Sequence, residues 1–559
     1  MCVLRVLFVL VPVALLASDG ETPGFAFKAL SPDAGVRGVT VFGGKSANRY
    51  LLETTGTGVA LLDYDGDARL DIFQVNGTTL EGFPKGVEPR PFLYRNKGNA
   101  SFEDVTAAAG LADQSGWGQG ACVGDYDADG DDDLLVTYYG KNRLYRNTGR
   151  ASFVDATAGS GLDSDRVRWG TGCAFFDADR DGHLDVFVAN YIDLDLKTAP
   201  TPGSGVCRYK GVGVACGPPG LQGGRNALYR NTGNGTFTDV SGPSGIAAAN
   251  GTYALGVSTL DFDNDGWTDL YVANDSNPSA LYRNRGNGTF EDIGVRAGCA
   301  YSQDGKPQAG MGVGIGDFDR NGWMDIVKTN FAGDTTSLYA NTGQGRCEDR
   351  TFEAGLGLVT RWLGWGAGFA DFDNDGWLDI FLTNGHVYPE VRQIKGEAGY
   401  EQRKVVYRNV GGRFEDVTAR LGPPATTPKA GRGTAFGDLD GNGTVDVVIN
   451  NIHDTPDVWL TTTAADRHWL LLQLVGTRSN RNAIGARVRV VTGDVSQIRE
   501  VQGGGSYLSQ NDFRVHVGLG AARAADRVEV RWPNGLEEVW TDVKADQMLT
   551  LREGGGTGR

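Results

Sequence analysis

Carboxylates at fixed spacing dominate the chemistry this sequence can do. One nine-residue phrase recurs seven times: DYDGDARLD from Asp63, DYDADGDDD from Asp125, DADRDGHLD from Asp177, DFDNDGWTD from Asp261, DFDRNGWMD from Asp317, DFDNDGWLD from Asp371 and DLDGNGTVD from Asp438. Positions 1, 3 and 9 are Asp in every copy, and position 5 is Asp or Asn. The candidate metal ligands are Asp63, Asp65, Asp67 and Asp71 in the first copy, then Asp125, Asp127, Asp129 and Asp133 in the second. The third and fourth offer Asp177, Asp179, Asp181, Asp185 and Asp261, Asp263, Asp265, Asp269. The last three offer Asp317, Asp319, Asn321, Asp325, then Asp371, Asp373, Asp375, Asp379, then Asp438, Asp440, Asn442, Asp446.

Alternate oxygens converging from a tight loop suit calcium, which takes six to eight hard ligands at about 2.3–2.6 Å. Position 7 supplies a backbone carbonyl, so its side chain is free to be Arg69, His183 or Trp267. Glycine at position 6 permits the sharp turn, and only Ala68 departs from it. The pattern is not an EF-hand, which needs Glu at position 12 and helical flanks. Magnesium fits poorly because it keeps its waters. Unpaired clusters of carboxylates would repel. Seven divalent ions would nearly cancel the formal charge of −16, so up to seven calcium ions are expected.

The elements that must position these loops are also repeated. A glycine stands five residues before each phrase (Gly58, Gly120, Gly172, Gly256, Gly312, Gly366 and Gly433). A β-rich run follows each phrase, then LYRN or a variant, usually with a G-x-F-x-D-V-T tail. Each unit is four short strands, with no helical periodicity of useful length. Such units read as propeller blades. The expected fold is all-β: a seven-bladed β-propeller with calcium loops over residues 25–461, then a small β-sandwich-like domain over 463–553 and a glycine-rich tail, 554–559. The last unit lacks a fourth strand, and Phe27 to Gly35 repeats the spacing of Phe102 to Gly110. The amino-terminal strand is therefore expected to complete the ring. The recurrent glycines let inner strands approach closely around the channel.

Residues 1–18 have the proportions of an export signal, with Arg5 before an apolar run from Val6 to Ala17. No later stretch is apolar for long enough to span a bilayer. Secretion, to the extracellular space or a periplasm, follows. Six cysteines then remain, and the expected pairs are Cys207–Cys216, Cys122–Cys173 and Cys299–Cys347. The 69 acidic residues against 53 basic ones argue against nucleic acid as a partner.

The phrase D-x-D-x-D-G-x-x-D between strands, with Phe436-Gly437-Asp438 opening the last copy, resembles the FG-GAP or VCBS repeat of integrin α-subunit propellers. The tail is similar to the ASPIC/UnbV domain in Asn482 to Arg487, Arg499 to Gly504, Ser506 to Asp512, Val517 to Gly520 and Val530 to Gly535. Propeller plus this tail resembles the layout of the cartilage acidic protein family. The resemblance implies secretion and calcium binding. The family's EGF-like module has no counterpart, since no cysteine follows Cys347.

Three units carry long loops, at about 77–92, 191–226 and 385–404, joining second and third strands on the face opposite the metal loops. Long loops on a rigid scaffold are where binding usually resides. Candidate ligand-face residues are Tyr191, Asp193, Asp195, His386, Tyr388 and Glu390, with Arg166, Arg168, Trp169, Arg361 and Trp362 on neighbouring turns. The leading expectation is an adhesion or recognition module for an extracellular protein or glycan. The alternative is an enzyme at the channel mouth, a hydrolase or cyclase acting on an exported small molecule or glycan, with calcium purely structural. No G-x-S-x-G elbow occurs, and the five histidines lack metal-ligand spacing. Tyr507 to Asp512 reads as a polar turn of the tail domain.

Overall fold

In the computed structural model, residues 23–162, 167–205, 207–247 and 251–558 are described. The export-signal segment and Arg166 lie outside these residues. The fold is all-β. Each acidic phrase forms the turn between the first and second strands of an antiparallel sheet, and position 9 opens the second strand. In the first sheet the order is Val59–Leu62, Asp71–Gln74, Phe92–Asn96, Phe102–Asp104. The units holding the second and third phrases join into one larger sheet because Arg168 and Trp169 pair with Gly140 and Tyr139.

The innermost strands follow one another around an axis. Val59–Leu62, Trp117–Gly124, Arg168–Phe176, Ala254–Leu260, Val313–Gly316, Gly364–Ala370 and Gly431–Gly437 each touch the next, and the last returns to the first. Their glycines make this crowding feasible: a Cβ on Gly312 would lie 1.9 Å from the Trp365 carbonyl oxygen of the neighbouring sheet. The ring is sealed by Phe25–Ala29, which pairs antiparallel with Asp457–Thr463 as the outermost strand of the last sheet. Phe25 and Phe27 anchor it in an aromatic cluster with Phe372, Phe381 and Trp459. Cys122–Cys173, Cys207–Cys216 and Cys299–Cys347 are disulfide-bonded. Among the described residues no helix is long and apolar enough to cross a membrane.

The carboxy-terminal part is two packed sheets. Val515–Gly520, His468–Val475 and Gln547–Arg552 form one, its last pair parallel, and Val495–Glu500, Arg487–Thr492, Ala524–Arg531, Glu537–Lys544 and Thr557–Gly558 form the other. The glycine-rich tail is thus not a free end, since Thr557 and Gly558 pair with Val539 and Glu538.

The segment expected to be a polar turn does something else. Residues 501–512 enter the propeller channel and plug it. Isolated bridges join Gly504 to Ser258, Ser506 to Val313 and Gln510 to Ala60. The backbone N–H groups of Leu61 and Ala121 donate to the Gln510 and Leu508 carbonyls, both at 3.1 Å. Tyr507 is fully buried, its hydroxyl donating to the Thr55 carbonyl at 3.0 Å and its ring 4.7 Å from that of Trp365. The physical reason is local. Channel-facing backbone groups of the inner strands need partners, and a polar loop supplies them where a solvated turn would not. A Cβ on Gly58 would lie 1.7 Å from the Leu508 carbonyl oxygen, so some recurrent glycines make room for the plug as well as for neighbouring strands.

Candidate metal centres and the insertion-bearing face

The acidic loops share one hydrogen-bond plan. The position-1 carboxylate accepts the backbone N–H of position 6 in all seven copies, from Ala68 onto Asp63 at 2.8 Å to Gly443 onto Asp438 at 2.9 Å. Position 5 accepts the N–H of position 7, from Arg69 onto Asp67 to Thr444 onto Asn442. Position 9 is held from both sides. One oxygen of Asp71, Asp133, Asp185, Asp269, Asp325, Asp379 and Asp446 accepts the N–H of position 2. The other accepts an N–H from the third strand, at Asn96, Asn147, Asn231, Asn284, Asn341, Asn409 or Thr461. Ala68 takes φ 66°, as the glycines at this position do, so the first loop keeps the common shape despite its side chain.

These constraints aim oxygens at one point. Ligand atoms of Asp63, Asp65 and Asp71 lie within 4.8 Å of one another, as do those of Asp125, Asp127 and Asp133, and of Asp177, Asp179 and Asp185. Asp261, Asp263 and Asp265, then Asp317, Asp319 and Asp325, form equivalent groups, with two more elsewhere. Several of the converging oxygens are buried and accept no hydrogen bond: Oδ1 of Asp65, Asp127, Asp179 and Asp263, and of Asp261 and Asp317. Burial pushes Asp71 up to about 8, Asp133 up to about 9 and Asp371 up to about 8, against the N–H donors that pull Asp71 and Asp133 down. Orphaned carboxylate oxygens in a dry cluster are what a hard cation requires. These loops could therefore hold metal ions.

Positive charge reaches these loops from outside the nine-residue phrase. Arg95, Arg146, Arg230, Arg283 and Arg408 of the third strands lie 2.5–3.9 Å from position-3 aspartates, several also reaching position 5. In the two copies with Asn321 or Asn442 at position 5, the arginine position is Ala340 or Leu460. Loss of the position-5 carboxylate thus goes with loss of the third-strand guanidinium, while Arg69 on Asp67 and Arg531 on Asp261 add further positive charge in the first and fourth loops.

The carboxy-terminal part covers this face. Asn482 accepts the Asp125 N–H and donates to Asp132, both at 2.8 Å. Arg531 pairs with Asp261, and Glu500 accepts the Asp261 N–H at 3.1 Å. Arg514 donates to the Asp438 carbonyl at 3.1 Å, and His516 Nε2 meets the Gly443 carbonyl at 3.0 Å.

On the opposite face the insertions interlock. The 191–226 loop, closed by Cys207–Cys216, meets the 385–404 loop where Tyr209 and Lys210 contact Glu397. Arg49 pairs with Glu81 of the 77–92 loop, and Arg392 donates to the Lys45 carbonyl. Several candidate residues serve this interlocking rather than a surface. Trp169, Tyr191 and Tyr388 are buried with Trp365, Tyr507 and Leu508 in one core. Glu390 is buried and accepts the Asn48 N–H at 3.0 Å. His386, 1% exposed, accepts the Tyr388 N–H through Nδ1 and sits within 5.1–5.8 Å of the rings of Tyr209, Phe331 and Tyr388. Burial, helped by Arg432, lowers its pKa to about 3, so it is a neutral packing group and not a poised base.

Other candidates do reach solvent. Asp193 and Asp195 are exposed, and Asp195 caps its own turn through the Lys197 N–H. Arg168 is half-buried beside the Tyr229 hydroxyl. Exposed Arg361 stacks on half-buried Trp362 at 4.7 Å, with Arg403 on the same ring at 5.4 Å. Residues not anticipated include Arg432, fully buried over Trp365 at 4.2 Å, which donates to the Thr54 and His386 carbonyls at 3.1 and 3.0 Å. A cavity of about 360 Å³ opens at the channel mouth, walled in part by Tyr191, Asp275, Phe331, Asp334, Trp365 and Tyr388.

Comparison with known proteins agrees with this division. A family model described as ASPIC and UnbV matches residues 476–558, and one described as an FG-GAP-like repeat matches 86–136, 125–188, 214–272 and 261–328. The chain thus carries FG-GAP-like repeats followed by an ASPIC and UnbV domain. It is similar to cartilage acidic protein 1 of Mus musculus, 25% identical over 518 residues, covering 89% of this chain and 73% of that protein. The Homo sapiens protein is 24% identical over 528 residues, covering 89% and 71%. Among solved structures, an Agrocybe aegerita lectin aligns with TM-score 0.37 and 18% identity, covering 66% of this chain and 84% of that one. The BP39L lectin of Burkholderia pseudomallei aligns with TM-score 0.42 and 10% identity, covering 74% and 97%.

Proposed function

We propose that this protein is an exported recognition module, rigidified by calcium, whose insertion-bearing face docks an extracellular protein or glycan. One observation carries the reading. The metal-loop face is occupied by the carboxy-terminal part and the channel is plugged, so the insertion-bearing face is left for a large ligand. There exposed Arg361 lies over the half-buried Trp362 ring, with half-buried Arg403 on the same ring, a cationic and aromatic patch suited to an acidic protein segment or an acidic glycan. Orphaned carboxylate oxygens and their convergence within each loop support calcium as the ion, held by the position-1, -3, -5 and -9 side chains. The three disulfides and the amino-terminal apolar segment support export.

The test is binding of the calcium-loaded protein to a glycan array and to intact cell surfaces, repeated with Trp362→Ala and Arg361→Glu. Saturable binding that these variants weaken about tenfold supports the reading. Binding indifferent to both variants would move the docking surface elsewhere. Chemical conversion of an arrayed glycan would replace recognition with catalysis.

A further inference from the structure

We propose that the cavity at the channel mouth binds an organic cation, an ammonium group carried on a small apolar body. The site goes beyond the docking surface proposed above and does not depend on it. Its volume, about 360 Å³, falls at the small end of ligand-binding pockets. Among the described residues no lysine, arginine or histidine lines it, whereas two carboxylates do, Asp275 and Asp334. Tyr191, Phe331 and Tyr388 supply aromatic walls beside Trp365, whose ring already carries Arg432, and aromatic rings attract cations most strongly where water is excluded.

The hydrogen-bond balance of the lining selects the ligand's chemistry. Nearly every side-chain donor there is already used within the protein. The Tyr191 hydroxyl donates to Asp275 at 2.5 Å and the Ser276 hydroxyl to Asp275 at 2.9 Å. Thr54 donates to the Leu51 carbonyl, Thr55 to Gln119 and the Trp365 indole to the Gly385 carbonyl. What remains is acceptor capacity on the carboxylates, with the Tyr388 hydroxyl. An ammonium group brings donors and no acceptors, whereas a sugar hydroxyl needs both and a carboxylate would be repelled. The two acids are not equal. Burial acts first on both acids; Asp275 then meets the donors Tyr191 and Ser276, while the exposed Asp334 meets Lys328, Gln308 and Lys306. Asp275 is therefore the anchor and Asp334 the weaker second charge.

Titration calorimetry on the full calcium-loaded chain, with propylammonium and butylammonium against uncharged 1-pentanol, tests this. The expected result is saturable binding of the cations, at least about tenfold tighter than the alcohol. Asp275→Asn should weaken cation binding at least about tenfold with glycan-array binding unchanged, and Asp334→Asn should weaken it less. Should Asp275→Asn unfold, Ala309→Trp, which fills the cavity from its half-buried rim, must abolish cation binding. Equal binding of alcohol and cation, persistence of cation binding in Ala309→Trp, or no saturation up to roughly 10 mM overturns the proposal. Cation binding retained in Trp362→Ala separates this site from the docking surface.

Discussion

The two faces of the propeller are built on opposite plans. The metal-loop face repeats one local solution seven times, each loop closed by hydrogen bonds within about ten residues plus one third-strand N–H. The insertion-bearing face has no repeat. Its core joins residues from the amino-terminal loop, from several sheets and from the plug, as in Leu52, Trp169, Trp365, Val391 and Tyr507. The first plan distributes stability over equivalent sites that a cation can reinforce. The second concentrates it in contacts that exist once.

The largest expected effect tests the first plan. Chelation of calcium should lower the melting temperature by well over 10 °C, since each site filled at 100 times its Kd contributes about 2.7 kcal/mol. Calorimetry with and without chelator measures it, and an unchanged transition would remove calcium from the account. Deleting residues 25–36 should come next, because it strips Phe25 and Phe27 from their aromatic cluster and reopens the ring between the first and last sheets. A melting curve like that of the full chain would show that the outer strand is dispensable.

A smaller effect separates the faces. Arg432→Ala removes the donors to the Thr54 and His386 carbonyls and should cost about 2–4 kcal/mol. Limited proteolysis should then cut the 385–404 loop sooner while calcium stoichiometry stays the same. Loss of calcium along with the loop would mean that the faces are coupled. The smallest effect sharpens the charge rule. Arg95→Ala and Asp67→Asn should each shift calcium affinity of the first loop, by about 0.5–1 kcal/mol, and the double variant, which copies the Asn321 and Ala340 combination, should restore it. Additive shifts in calorimetric titrations would reject charge matching.

The same contrast explains what could be read before the structure. Asp63 to Asp71 is legible because all its carboxylates lie in one stretch and recur. The latch was legible because Phe27 to Gly35 copies a spacing found elsewhere. The insertions were legible as long loops, but their side chains were not. Tyr191 and His386 carry polar atoms that suit a surface, and only the arrival of Tyr209 and Phe331 from other segments buries His386. The plug is hidden in the sequence for the same reason. Ser506 and Gln510 look solvated until the unpaired edges of inner strands surround them. The pairing of Asn321 and Asn442 with a missing arginine needed no structure, only a comparison of phrase and third strand within each unit.

The latch has a consequence in time. Phe25 leaves the ribosome among the first residues of the ring, yet its partner Thr463 is made 438 residues later. The early sheets can form as they emerge, but the circle stays open until the last sheet has been synthesised. The plug comes later still, with Tyr507. Long-range closures of this kind are slow and leave strand edges unpaired in the interval. The earliest strand is thus the last to be used, and a nascent chain halted anywhere between the two ends is an unsealed ring.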